Sequence, residues 1–253
     1  MKVNVRMGWK NLMLVAWLLL ARSIPIQAQS SHGQQLWNEF YVNHSFANVY
    51  ELQNRVRYRT NFGSSKWRAL DLMSILDRSL TQNIDVVAGL TFSYVFQNDT
   101  VNTLEIRPML GARVHFTPNR RVQSRLYLRF EQRNMHDQGS SDWQHSTRLR
   151  LRPELLIPLN KKSYFDDKLL YAIVDAEWFI VFDKDVDERY ANRFRFRGGV
   201  GYRMSRQWRF EVIYMQQLSK NKIGTDFDSN DDIVRLRVKW YPARKQRQAA
   251  PTK

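Results

Sequence analysis

Strict alternation between arginine and apolar side chains is the feature that most limits how this chain can fold. Residues 193–203 read RFRFRGGVGYR, with Arg195 and Arg197 on one parity and Phe194 and Phe196 on the other. A helix would scatter these side chains around its axis, whereas a strand sends successive side chains to opposite faces. The stretch therefore predicts a β-strand with one apolar face and one cationic face.

The same alternation recurs along most of the chain, and helical periodicity is scarce. The candidate strands are residues 36–46, 50–60, 67–76, 84–96, 104–116, 122–133, 146–158, 169–182, 193–203, 208–218 and 232–241. We predict an all-β fold, an antiparallel transmembrane β-barrel of roughly 10–12 strands, similar to those of outer membranes. Bacterial single-chain barrels have even strand numbers. The odd count of candidates therefore means either that one strand is missed or wrongly split, or that the segment beginning at Leu36 is not an ordinary barrel strand.

The segments that connect the candidate strands alternate in length. Short turns are expected near residue 81 and at 117–120 and 205–207, and longer polar loops at 134–142, 183–191 and 220–232. Short turns on one rim and long loops on the other are typical of outer-membrane barrels.

The first residues resemble a secretory signal. Lys2, Arg6 and Lys10 precede an apolar run at 11–21, and the small residue Ala28 follows. The run is shorter than the roughly 20 residues that a membrane-spanning helix needs, so we predict export and cleavage. The predicted organisation is a signal peptide at 1–28, a β-barrel at 29–241 and a basic C-terminal tail at 242–253. The chain has no cysteine, so a lipoprotein anchor, a disulfide framework and a thiolate site are excluded.

Alternation alone does not say which face points inward. In a soluble β-barrel the apolar parity forms the core, and in a membrane barrel it meets lipid. The many large aromatic residues on the apolar parity and the length of the segments favour lipid. Aromatic residues near segment ends suit interfacial girdles; these are Trp37, Tyr50, Trp67, Trp143, Trp208, Trp240 and Tyr241. We therefore expect a location in the bacterial outer membrane.

Four segments, LWNEFYVNHSF, ELQNRVRYR, FRFRGGVGYRMSRQWRFEVIY and IVRLRVKW, carry a resemblance to a known family. The chain resembles exported Bacteroidota proteins that are grouped only as a domain of unknown function within the outer-membrane β-barrel superfamily. The likeness extends from about Leu36 to Tyr241. It implies the barrel fold and the Gram-negative outer membrane, and it supplies no catalytic residues.

The polar parity would then line the lumen. The lumen-lining arginines, a candidate anion path, are Arg55, Arg57, Arg107, Arg129, Arg150, Arg195, Arg197, Arg235 and Arg237. Their candidate ion-pair partners are Glu105, Glu131, Glu154, Asp175 and Glu177, and further acids of the same parity include Glu39, Glu51 and Glu211. The chain has a net charge of +16, so the acids are too few to pair with every arginine. Because unpaired buried cations are costly, this predicts a hydrated, electropositive interior that prefers anions.

Few residues suggest catalysis or metal binding. Asp175 and Glu177 lie on one face of a predicted strand and could do acid–base work or hold Ca²⁺. Amid so many arginines, ion pairing is the favoured interpretation. Two His–Ser pairs, at 44–45 and 145–146, are adjacent in sequence, so in strands their side chains point to opposite faces. We therefore predict no enzyme, no cofactor and no metal site.

The predicted function is an outer-membrane β-barrel of unknown specific role, either a narrow anion-preferring pore or a structural barrel with an arginine-rich lumen. The alternatives are an outer-membrane lipid-modifying enzyme and a soluble periplasmic β-barrel that binds an apolar ligand. Expected partners are outer-membrane lipid, the phosphates of lipopolysaccharide and the barrel-assembly machinery. Nucleic acid is not expected, because the arginines of this exported chain are spread over many strands. The sequence leaves the oligomeric state open.

Overall fold

A computed structural model of the chain describes residues 33–47, 49–62, 67–96, 102–118, 120–182, 192–220 and 227–242. These residues contain eleven strands and no helix, so no described segment is a helix long and apolar enough to cross a membrane. The predicted signal peptide at 1–28 and all but the first residue of the predicted tail lie outside the described residues. The predicted all-β fold is confirmed, and the strand number falls in the expected range.

Each predicted segment overlaps one observed strand. The strands are β1 (Gly33–Phe46), β2 (Tyr50–Phe62), β3 (Arg68–Ser79), β4 (Ile84–Phe96), β5 (Thr103–His115), β6 (Gln123–Asp137), β7 (Trp143–Pro158), β8 (Leu169–Val181), β9 (Asn192–Arg203), β10 (Trp208–Lys220) and β11 (Phe227–Trp240).

The strands form one closed barrel in sequence order, and β1 pairs with β11 to close it. All sequential neighbours are antiparallel, but β1 and β11 run parallel, with Leu36 opposite Val234 and Phe40 opposite Val238. The prediction of an entirely antiparallel barrel is therefore wrong at this one pair. The odd strand number is accommodated because the first and last strands run in the same direction.

This topology gives the barrel two distinct rims. At the C-terminal rim, where β1 and β11 end, lie the connections 47–49, 80–83, 116–122, 159–168 and 204–207. At the N-terminal rim, where β1 and β11 begin, the strands β2, β4, β6, β8 and β10 end. The expected difference in length is only partly present. Segment 159–168 on the short-turn side has as many residues as the link between β8 and β9, and the first four of the nine residues of the expected loop at 134–142 belong to β6.

Side chains alternate between the interior and the outer face of the barrel, as the sequence predicted. On β3, Asp71 and Met73 are 1% and 5% exposed, whereas Leu70 and Leu72 are 40% and 48% exposed. Wherever the structure describes strand side chains, outward-facing Lys, Arg, Asp or Glu occur only at three positions. Arg68 and Arg78 lie near the ends of β3, and Asp232 is the sixth residue of β11, opposite Gln34 near the start of β1. The outer face therefore carries a band without charged side chains.

The interior also contains apolar residues that the parity argument did not assign to it. Near the C-terminal rim, Leu169, Tyr171 and Ile213 belong to one buried cluster. A Cβ atom at Gly201 would lie 2.3–2.6 Å from atoms of the Tyr171 ring, so only glycine lets this ring rest against β9. Trp37, expected in an interfacial girdle, is 3% exposed inside the barrel, because its parity is that of the inward residues of β1.

Candidate functional site

The first ion-pair cluster of the interior is centred on Glu39, which β1 places beside the parallel strand β11. Arg235 donates from Nη2 to both carboxylate oxygens, at 2.7 and 2.9 Å. Arg237 donates from Nε to Oε2 at 2.6 Å. On the other side, β2 brings Nη1 of Arg55 and of Arg57 to 3.9 and 3.8 Å from Oε1. One carboxylate, 3% exposed, therefore serves four guanidinium groups.

A second cluster surrounds Glu131 on β6. Nε of Arg148 donates to Oε2 at 2.6 Å, and Nη2 of Arg129 lies 2.6 Å from Oε1. Nη1 of Arg150 donates to Oε1 at 2.9 Å, while Nε of the same arginine donates to Glu177 at 3.0 Å. Arg150 therefore joins the carboxylates of two strands, β6 and β8.

Glu177 continues this network toward β9. Nη1 of Arg195 and Nη2 of Arg197 each lie 3.5 Å from Oε2 of Glu177. Nε of Arg197 also donates to Asp175, which stands two residues before Glu177 on the same face of β8. Asp175 and Glu177, the two acids that interrupt an apolar strand, therefore act as ion-pair partners.

The remaining inward carboxylates in the middle of the barrel are shared in the same way. The pairings are Asp71 with Arg57 and Arg59, Glu105 with Arg107 and Arg133, Glu154 with Arg125 and Arg152, and Glu211 with Arg237 and Lys239. Sharing lets few acids hold many arginines, because a guanidinium group has five donors and a carboxylate accepts several hydrogen bonds.

Aromatic rings fill the space between these ion pairs. Cζ of Arg57 and of Arg235 lie 4.7 and 5.1 Å from the centroid of the Trp37 ring. Cζ of Arg195 lies 5.6 Å from the same ring and 4.6 Å from the ring of Phe179 on β8. These are cation–π distances, and they connect β1, β8 and β9 across the interior.

Together these contacts close the middle of the described barrel. Glu131, Glu177, Arg197 and Arg235 are 0–2% exposed, whereas residues that line a water-filled channel would be exposed to it. The expected hydrated lumen is therefore wrong for this central layer. Shared carboxylates and aromatic rings contact the arginines there, although Nε of Arg129 and Nη2 of Arg197 have no hydrogen-bond partner among the described residues.

All nine arginines and all five acids predicted to line the lumen face the interior, and each one takes part in at least one ion pair. Sequence reasoning did not assign Asp71, Trp37 or Phe179 to this interior site. In β3, Asp71 faces inward together with Ala69 and Met73. The sequence did not reveal this, because residues of both parities in this segment are apolar and neither face could be recognised as the polar one.

A cavity of about 760 Å³ opens at the C-terminal rim. Six residues define its chemistry: Glu51, Arg113, Arg125, Tyr164, Arg209 and Tyr241. Segment 159–168 contributes one wall, because Tyr164 is 9% exposed and its carbonyl oxygen accepts a hydrogen bond from Nη1 of Arg203 at 3.2 Å. Tyr241, also expected in a girdle, instead lines this cavity.

The adjacent His–Ser pairs do not come together. His145 lies on the outer face, with Nδ1 2.8 Å from Oδ1 of Asn134, while Ser146 is buried in the interior. In the described ranges, no group of three or more His, Cys, Asp or Glu side chains is arranged to hold a metal ion.

Fold and interior together define a class, the closed β-barrels with an ion-paired interior. The chain belongs to the family described as Protein of unknown function (DUF2490), whose model matches residues 34–228 and so covers β1 to the start of β11. A search of curated proteins finds no match. The resemblance to a family of unknown function is thereby confirmed, and its grouping with Bacteroidota outer-membrane proteins stays a prediction.

Proposed function

We propose that the protein is an outer-membrane β-barrel whose ion-paired centre closes it to solutes. The outer face supports insertion in lipid. Its large apolar side chains, among them Phe92, Leu110, Phe130 and Val200, are 45–64% exposed. The charged strand side chains that the structure describes on this face are Arg68, Arg78 and Asp232 alone. Membrane barrels present such an apolar band, about 25 Å tall, to the bilayer.

The main observation in favour of a closed barrel is that the Glu39 cluster and the Glu131–Glu177 cluster are buried in the middle of the barrel. A water path through this layer would require several ion pairs to separate at once. In this proposal the protein is a structural barrel of the outer membrane rather than an open pore. The lipid-modifying enzyme and the soluble carrier of apolar ligands have no comparable support.

Location is tested by fractionating cells that produce the full chain and extracting the membranes with detergent. We expect the protein in the outer-membrane fraction, with a faster-migrating band on gels when the sample is not heated. A mature protein that is monodisperse in buffer without detergent would exclude the proposed membrane insertion.

Closure is tested by reconstitution into planar lipid bilayers. We expect no steady conductance from the wild-type protein at moderate voltage. Stable open channels in most insertions would exclude the closed centre while leaving the membrane location intact.

The proposal also defines partners. Outer-membrane lipid would contact the apolar band, and the barrel-assembly machinery would insert the chain. If the N-terminal rim faces outward, the exposed side chain of Arg68 is placed to bind phosphates of lipopolysaccharide.

A further inference from the structure

The cavity at the C-terminal rim contains a cation without an acidic partner. Arg209 on β10 donates from Nη1 to the hydroxyl oxygen of Tyr164 at 3.4 Å, and its Cζ lies 4.3 Å from the centroid of the Tyr241 ring. Its Nε is buried without a hydrogen-bond partner. Among the described residues, no carboxylate lies within 4.0 Å of this guanidinium group. By contrast, Arg113 and Arg125 in the same cavity are ion-paired.

The same cavity contains an acid without a basic partner. Glu51 points inward near the start of β2, two strands beyond β11 and three from β10. In the described part of the chain, no Lys, Arg or His nitrogen lies within 4.0 Å of its carboxylate. The other acid that lines the cavity, Asp85, is engaged by Nε2 of His115 at 2.8 Å and by Arg113 at 3.5 Å.

Arg209 and Glu51 therefore carry opposite charges that face one cavity without a contact within 4.0 Å. Arg113, Arg209 and Arg125 attract the Glu51 carboxylate only over longer distances. Elsewhere, every acid of the middle layer is ion-paired, and all of them except Asp175 are shared between two or more cations. Here the pairing stops, although both groups are partly removed from water. A ligand with an anionic end and a cationic end would complete both partnerships.

We infer that this cavity binds a small zwitterion of the amino-acid or short-peptide class, with its carboxylate on Arg209 and its ammonium group on Glu51. The volume of about 760 Å³ exceeds what a single amino acid needs and suits a short peptide. Phe165, Leu80 and Leu156 also line the cavity and would contact an apolar side chain of the ligand. This inference goes beyond the proposed function and does not depend on whether the barrel centre conducts.

The test uses the full mature protein in detergent micelles, titrated by calorimetry with the dipeptide phenylalanyl-alanine. Two derivatives of the dipeptide, one N-acetylated and one C-amidated, each lack one charge. We expect the free dipeptide to bind about 10-fold or more tightly than either derivative, because each blocked end leaves one charged group of the cavity unpaired.

Two variants test which charged group of the protein binds which end of the dipeptide. Arg209→Gln should no longer distinguish the free dipeptide from its amide, and Glu51→Gln should no longer distinguish it from its acetylated form. Arg206→Gln, at an exposed arginine in the β9–β10 connection of the same rim, is the matched control and should bind as the wild type does.

Equal binding of all three ligands by the wild type, or binding of none, would overturn the inference. A preference that depends on the carboxylate alone would also overturn it and would indicate a simple anion site. A variant that fails to fold is recognised by loss of heat-modifiable migration. In that case the binding of the three ligands to the wild-type protein decides whether the inference holds. Channel activity bears only on the closed centre, so failure of one proposal is distinguishable from failure of the other.

Discussion

Glu39 illustrates how individual residues stabilise buried charges in this interior. A carboxylate that is 3% exposed would be costly alone, but Arg235 and Arg237 bind it directly at 2.6–2.9 Å. The arginines in turn rest against Trp37 or share a second acid. Each buried charge therefore depends on several neighbours, and loss of one acid affects more than one arginine.

We expect Glu39→Gln to destabilise the barrel strongly. The amide has nearly the same shape, but it removes the counter-charge of the buried Arg235 and leaves Arg237 with Glu211 alone. Breaking a buried ion pair in this way costs about 3–5 kcal/mol. The free energy of unfolding, measured by urea titration in lipid vesicles, checks this value. Asp142→Asn, at an exposed loop position, is the control, and equal loss in both variants would contradict the expectation.

Two glycines of β9 provide a matched comparison of packing. We expect Gly201→Ala to lower the free energy of unfolding by about 1–3 kcal/mol, because the added methyl group would overlap the Tyr171 ring. Gly198→Ala, where a Cβ meets nothing within 4 Å, should have little effect. Urea midpoints of the two variants check this difference. If both variants unfold at the same midpoint, the close contact between β9 and the ring is not formed.

Individual residues also show where sequence reasoning reaches its limit. Arg195 and Arg197 were placed correctly because a strand leaves only two faces and their neighbours are aromatic. Trp37 was placed on the wrong face, because an aromatic residue near a strand end suits an interfacial girdle as well as an interior ring. Its ring contacts arginines of β2, β9 and β11, of which β9 and β11 are far from β1 in sequence. Alternation within one strand carries no information about such neighbours.

At the scale of elements, the parallel pairing of β1 with β11 is the unusual feature. Ten antiparallel pairs follow from short connections between consecutive strands, so the sequence predicted them well. The closing pair has no connection of its own, and only the odd number of segments indicated that the first strand differs. Alternation within a strand indicates which residues share a face, but it does not show in which direction the strand runs beside its neighbour. The sequence alone therefore left the pairing of β1 with β11 unassigned.

Engineered cysteines test the closing pair, because the chain has none of its own. We expect Leu36→Cys with Val234→Cys to form a disulfide on mild oxidation, since these residues are directly opposite and both face outward. The disulfide would close a large loop within the chain, and the cross-linked chain would migrate differently on a denaturing gel without reductant. Leu36→Cys with Val238→Cys is the control, because these positions are about 13 Å apart along the strands. Cross-linking of the control alone would indicate a different register.

At the scale of the whole molecule, a cationic interior is kept closed by rings as well as ion pairs. Inward-facing arginines and lysines still outnumber inward-facing acids in the described strands. A path opened through the centre would therefore be lined by excess positive charge and would favour anions.

We expect the double variant Trp37→Ala with Phe179→Ala to give anion-selective conductance steps in planar bilayers where the wild type gives none. Removing both rings takes away the packing that holds Arg195 across the interior. The control is Trp178→Ala with Phe196→Ala, which removes two rings from the outer face, where they are 42% and 49% exposed. Conductance that is equal in both double variants would mean that the interior rings do not close the barrel.

The parallel closing pair also determines where the polypeptide enters and leaves. Gly33 stands at one rim, whereas Tyr241 is fixed at the other by a hydrogen bond from its backbone amide to the carbonyl oxygen of Gln207, at 2.8 Å. An even-stranded barrel has both ends on the same side. Here, if the barrel crosses a bilayer, a peptide tag ahead of Gly33 and one behind Tyr241 would meet different compartments. A protease added to intact cells would therefore remove only one of the two tags.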